Sequence, residues 1–318
     1  MRLLRAILVF GILACTPVAG FAQASGSNQP LSVQQSGEEA ASQPEAQGLP
    51  QSAQPLGGEG SFVTNSMIVT WIVALALIVF AQVATRNMKQ VPDGAQNFWE
   101  WIVESLYDFL ETILGAPLVK RTFWFMATIF IFILFTNWFG LIPGVGTIGW
   151  GESGAHGFEV TRPLLRGGNA DLNMPLAMSM LFFLLWIIWA FQANGVKGFI
   201  LHIFGPKGDI PGVVGMILMV FFVLVGFLEV ISICFRPIAL TFRLYGNIFA
   251  GENLLESMSH LIQHPAWASN VFSALLPVPF YFMELLVGFV QALVFMLLCA
   301  VFTTVICTHD DEGGKAHH

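Results

Sequence analysis

Charge is scarce in this chain: Asp, Glu, Lys and Arg together make up 10% of its residues, against about 25% in ordinary soluble domains. With 55% hydrophobic residues, that scarcity excludes a conventional soluble domain. Basic patches are missing too, so no phosphate-contacting nucleic-acid surface is predicted, whatever the net charge of -7. Only four cysteines occur, without CxxC or Cys/His spacing, which argues against a disulfide framework or a zinc site. Cys15 falls in an N-terminal leader, and Cys234, Cys299 and Cys307 fall in or beside apolar segments, where they read as inert thiols. No P-loop, zinc signature, Ser/His/Asp set or glycine-rich nucleotide fingerprint appears. The chain is therefore expected to carry no catalytic residue, no metal and no cofactor of its own. His260, His264 and the terminal HDDEGGKAHH read as solvated loop and tail.

What is present is a series of apolar runs longer than the ~20 residues that span hydrocarbon. They predict an all-α polytopic membrane protein in which the lipid bilayer is the solvent. Arg2 and Arg5, the run ILVFGILA and the site Ala22-Gln23-Ala24 predict a signal peptide over 1–24. Residues 25–61 hold four Glu and no Lys or Arg among Gln, Ser, Gly and Pro. Such a segment buries too little apolar surface to order itself and is expected to be a disordered acidic extracytoplasmic tail. The helical membrane domain is expected over 62–308 and a cytoplasmic tail over 309–318.

Three ordinary spans are predicted, near Phe62–Ala84, Thr122–Ile142 and Asp171–Gln192. Between the first two, FWEWIVESLYDFLETIL places Glu100, Glu104, Asp108 and Glu111 on one helical face, which predicts an amphipathic surface helix. A Gly-rich loop of about 28 residues separates the second and third spans. Loops after the first and third spans carry Arg86, Lys89, Lys120, Arg121, Lys197 and Lys207, while the opposite side has Arg162 and Arg166. The positive-inside rule then puts the mature N-terminus outside and the C-terminus in the cytoplasm, as a cleaved signal does independently.

The last two apolar segments exceed an ordinary span. As helices at 1.5 Å per residue, Gly212–Ser257 reaches roughly 69 Å and Asn270–Thr304 about 52 Å, against ~30 Å of hydrocarbon. Two geometries answer this: each segment breaks, with Pro237, Gly246 and Gly251 as candidate breakpoints, or both are long helices tilted across the membrane. In the broken version Arg236 and Arg243 snorkel at an interface.

Of 13 Lys and Arg residues, only Arg236 and Arg243 lie inside a long hydrophobic segment. A guanidinium cannot shed its proton, so burial does not neutralise it. Its cost at a bilayer centre runs from roughly 3 to above 10 kcal/mol, which makes it a functional residue by default. Glu229, Arg236 and Arg243 stand seven apart. Each such step drifts only ~20°, so they share a helical face, with Ser232 and Asn247 close to it. The second long segment has Glu284 and Gln291 at the same spacing, and Glu252 and Glu256 extend the first beyond its arginines. Two apolar helices with narrow polar stripes suit the lining of an ion path.

The run RPIALTFRLYGNIFAGENLL, supported by NWFGLIP at 137–143, DLNMPLAMS at 171–179 and ELLVGFVQALVFMLL at 284–298, resembles subunit a of the F-type ATP synthase membrane sector. The resemblance covers about residues 62–308 and leaves out the leader and acidic tail. It implies the non-catalytic stator subunit of a proton-driven motor in a bacterial inner membrane. Its partners would be the rotor ring of subunit c, the peripheral-stalk subunit b and the rest of the complex. It further implies that Arg243 is the essential stator arginine, that Glu229, Ser232 and Arg236 belong to the cytoplasmic half-channel, and that Asn247, Glu252, Glu284 and Gln291 belong to the outer one. The last two helices would then be steeply tilted along the ring. Glu284 stands where many relatives carry histidine, and Arg236 where many carry lysine. A self-contained secondary transporter is the rival class, but no internal inverted repeat is present and the spans are too few for two halves. A structural scaffold would leave Arg243 replaceable.

Overall fold

The structure, a computed structural model, describes residues 63–142, 145, 149–154, 157–204, 213–259 and 275–307. The expected signal peptide, acidic tail and C-terminal tail, with His260 and His264, lie outside the described residues. The described elements are α1 (Asn65–Thr85), α2 (Gly94–Leu114), α3 (Ala116–Gly140), a hairpin of β1 (Gly149–Gly154) and β2 (Gly157–Pro163), a 3-10 turn (Gly168–Ala170), α4 (Asn173–Phe204), α5 (Val213–Ser259) and α6 (Val278–Cys307). Five helices, α1, α3, α4, α5 and α6, are long and apolar enough to cross a membrane. The chain is a multi-pass helical membrane protein.

At the centre stands α3, whose Phe125, Met126, Ile129 and Ile133 are fully enclosed. Around it pack α1, α2 and α6, while α5 lies mainly on α4. The third helix starts six residues before the expected Thr122. Gly115, at φ 75°, ends α2, and Pro117 fits the first helical turn, where its missing N–H costs nothing. Lys120 and Arg121 are thus inside the helix and exposed at its end, not in a loop before it. The second helix is amphipathic as expected: Trp99, Leu106, Leu110 and Leu114 are buried, and Glu104 and Asp108 are exposed.

Two further features differ from the expectations. The fourth helix does not stop near Gln192 but runs to Phe204, with a backbone break at Gly195 (φ 67°, ψ 167°), a conformation that side chains with a Cβ resist. The loop between α3 and α4 contains a hairpin, paired from Gly149↔Pro163 to Gly154↔Gly157 with an irregularity at Trp150/Gly151. Its glycines hide the alternation by which strands are recognised. As the resemblance implies, α5 is one long helix: its 47 residues run through Pro237 without a break. At 1.5 Å per residue it is about 70 Å long, so the broken version is not adopted.

Beyond Gly195, the arm 196–204 folds against the start of α5. Phe204 meets Phe227 edge-to-face at 5.6 Å between centroids, directly over Gly226. A Cβ at Gly226 would lie 2.6 Å from the Phe204 ring and 2.7 Å from the Ile203 carbonyl oxygen. Backbone cannot rotate away, so Gly226→Val should destabilise this corner by about 1–3 kcal/mol, in the range of overpacked cores. A lowered thermal-unfolding midpoint of the detergent-solubilised protein is the expected result; an unchanged midpoint would show that the arm is not packed there.

Candidate functional site

Buried polar groups gather where the 163–171 segment returns from the hairpin to the bundle. Asn65 donates its side-chain amide to the Pro163 carbonyl (3.2 Å), and Ser66 donates its hydroxyl to Asp171 (3.1 Å). Asp171, 5% exposed, also accepts from the side-chain amide of Asn173 (3.3 Å). These bonds join the start of α1 to the start of α4. Asn169 then donates to Asn137 Oδ1 (2.6 Å), and Asn137 donates to the Gly288 carbonyl on α6 (3.0 Å). Each bond satisfies a polar group that would otherwise be stranded in an apolar bundle.

The charged members face one another across this junction. Arg166, 4% exposed, places Nε 3.7 Å from the Glu252 carboxylate on α5. Glu284 of α6 is 4% exposed and lies against Gly251, where an added methyl would fall on its carboxyl group. Glu252 and Glu284, with Asn137, Asn169, Gly167 and Ile248, line one cavity of about 10 Å³, room for roughly a single water. Glu284 Oε1 is buried without a hydrogen-bond partner among the described residues. Close by, Asn247 donates to Gln291 Oε1 (2.8 Å), a second tie between α5 and α6.

Arg243 is placed differently. It is exposed, and among the described residues no hydrogen bond or ion pair holds it. Its helix turns Leu228, Ile231, Phe235 and Phe242 outward, and α6 turns Phe282, Leu286 and Phe289 outward. The cation therefore stands on a broad apolar face. Nine residues separate it from Glu252, about 13 Å along the helix.

Toward the start of α5, Glu229 and Arg236 are half-buried and Ser232 is exposed. The Arg236 guanidinium lies 4.6 Å from the centroid of Phe302 on α6 and 5.5 Å from that of Trp186 on α4. Thus Glu252, Glu284, Asn247 and Gln291 meet at one end, Glu229, Ser232 and Arg236 lie toward the other, and Arg243 stands between. The sequence marks Arg166 only as a topology signal and gives no role to Asn137, Asn169 or Asp171, of which Asn169 lies outside every motif quoted above. Asn137 in NWFGLIP and Asp171 in DLNMPLAMS were visible as polar residues at the edges of apolar spans, which is the signal that marks them.

Residues 67–304 match the family model described as ATP synthase A chain. The chain is 31% identical over 264 residues to ATP synthase subunit a of Desulforamulus reducens, covering 81% of this chain and 83% of that one. It is 28% identical over 249 residues to ATP synthase subunit a of Gloeobacter violaceus, covering 78% and 86%. With ATP synthase subunit a of Pelodictyon phaeoclathratiforme it shares 28% identity over 281 residues, covering 83% and 72%.

Removing one member of a buried ion pair costs more than removing both, because the survivor stays desolvated. Arg166→Met should therefore destabilise the solubilised protein by about 2–4 kcal/mol, and Arg166→Met with Glu252→Gln should recover much of that loss. Unfolding midpoints of the three proteins make the comparison; a double variant no more stable than Arg166→Met would dissociate Arg166 from Glu252.

Proposed function

The chain belongs to the ATP synthase A chain family, and on that premise we propose that it is the stator proton-channel subunit of a rotary ATP synthase. The observation that carries the mechanism is Arg243: an exposed cation on an apolar helix face, unmatched within the described chain. Such a charge calls for a partner from another molecule. The partner we assign is the mid-membrane carboxylate of a subunit c ring, docked along the outward faces of α5 and α6. The subunit itself contributes no ATP chemistry; it joins the complex through the ring and the peripheral-stalk subunit b. Its setting is the bacterial inner membrane, with the N-terminus outside and the C-terminus in the cytoplasm, as the loop charges indicate.

Arg243 then works as a fixed counter-charge. A rotor carboxyl group must be neutral while it faces lipid, because a bare carboxylate there is prohibitively costly. Beside Arg243 the ionised form is favoured and the proton leaves through the half-channel marked by Glu229, Ser232 and Arg236. Reprotonation comes from the other side, past the Asn247–Gln291 pair and the cavity shared by Glu252 and Glu284. The guanidinium also repels a proton that would cross directly between the two halves. Each proton brings about 2.3 kcal/mol per 100 mV of membrane potential.

Arg243→Ala should abolish ATP-driven proton pumping in vesicles while the complex still assembles. Arg243→Lys should fail nearly as far, since an ammonium lacks the planar, permanently charged fork. Normal pumping by Arg243→Ala would sink the mechanism.

The Glu252–Glu284 cavity generates a separate test. If one water-sized space serves both acids, Glu252→Gln and Glu284→Gln should each slow pumping. The double variant should cost much less than the product of the two losses. Multiplicative losses would mean that the acids act independently, and would leave the role of Arg243 untouched.

A further inference from the structure

Besides Glu229, Arg236 is the only charged residue between Val213 and Phe242 of α5, and three helices converge on it. Its guanidinium carbon is 4.6 Å from the Phe302 ring centroid and 5.5 Å from that of Trp186, within the ~6 Å at which a ring face attracts a cation. Trp186 is held independently of it, and Phe302 packs against the buried core. Trp186 is 2% exposed, donates its indole N–H to the Phe302 carbonyl (2.9 Å) and stacks on Phe183, their planes 10° apart. The contact therefore joins α5 to a preformed α4–α6 seam. An arginine cannot release its proton, so Arg236 cannot hand protons along a route. It also stands where α5 most needs support: Pro237, the next residue, removes a backbone N–H from the helix interior. Four residues beyond the proline, Thr241 and the Ser179 hydroxyl of α4 lie 2.6 Å apart. Arg243 follows two residues later, about 10 Å along the axis from Arg236.

We propose that Arg236 is a positioning residue: its guanidinium, held on the Phe302 and Trp186 rings, sets the rotation of α5 at its proline and so turns Arg243 toward the rotor. This rests on Arg243 being the stator charge, and it gives Arg236 a role that depends on the shape of the cation as well as its sign. A charge that only lined the half-channel beside Glu229 would be replaceable by lysine and indifferent to Phe302. A clamp requires the planar guanidinium and the ring together.

The experiment uses the assembled complex in membrane vesicles and reads protons pumped per ATP hydrolysed, with the amount of complex measured alongside. A turned α5 would move Arg243 from its place between the half-channels and let protons cross without rotation, lowering that ratio. Poor assembly alone would reduce pumping and hydrolysis together and leave the ratio unchanged. Arg236→Lys keeps the charge and Phe302→Leu keeps the arginine. Each should lower the ratio by about threefold, a modest share of what a desolvated cation–ring contact supplies. The double variant should be no worse than the more impaired single one. Trp186→Leu replaces Phe302→Leu, with the same expectation, should that protein not assemble. Full coupling in Arg236→Lys, full coupling without the ring, or losses that multiply would each overturn the clamp. Failure of the underlying function would show elsewhere, as intact pumping by Arg243→Ala.

Discussion

A charge inside an apolar bundle must find its compensation within the protein, and the Arg166–Glu252 pair is where this chain meets that demand most directly. The 3.7 Å approach links the segment returning from the hairpin to the C-terminal half of α5. Around it, Asn169, Asn137 and Gly288 form a chain of hydrogen bonds reaching α6. Without water to satisfy them, each of these groups holds its neighbours to a narrow geometry. The junction thereby places Glu252 and Glu284 on one small cavity, although they arrive on different helices.

The two arginines 166 and 243 show how one residue type serves opposite ends. Arg166 is buried and tied to a carboxylate of its own chain; Arg243 is exposed and presented to the outside. A cation locked to an internal partner has little interaction left to give to a moving one. For a motor, the useful charge is the one whose partner changes with each step, and it must not be bound so strongly that motion stops. In the proposed mechanism, exposure of Arg243 on an apolar face would let water reach the pair it forms with a rotor carboxylate and keep that attraction below the dry-interior limit.

Length and continuity of α5 serve the same arrangement. Because 47 residues run on without a break, the Glu229 end, Arg243 and the Glu252 end sit on one rigid element. Their spacing along the axis is therefore set by helical rise and not by loops. The proline at 237 is the weak point of that element. Contacts cluster beside it, from Arg236 with its two rings to Thr241 beside Ser179, where a bend would otherwise be easiest.

The apolar runs, the amphipathic α2, the seven-residue register of Glu229, Arg236 and Arg243, and the motif around Arg243 were legible in the chain alone. Each is a local property: hydrophobic periodicity and a charge in an apolar run need only neighbouring residues to be seen. Tertiary structure alone decided that α4 breaks at Gly195 and that a glycine-rich loop folds into a hairpin. It also decided that Arg166 meets Glu252, that Glu284 rests on Gly251, and that Arg236 lies between Phe302 and Trp186. These are relations between residues far apart in sequence. They arise when packing forces desolvated groups to choose among the few partners within reach, and no local pattern in the sequence encodes that choice.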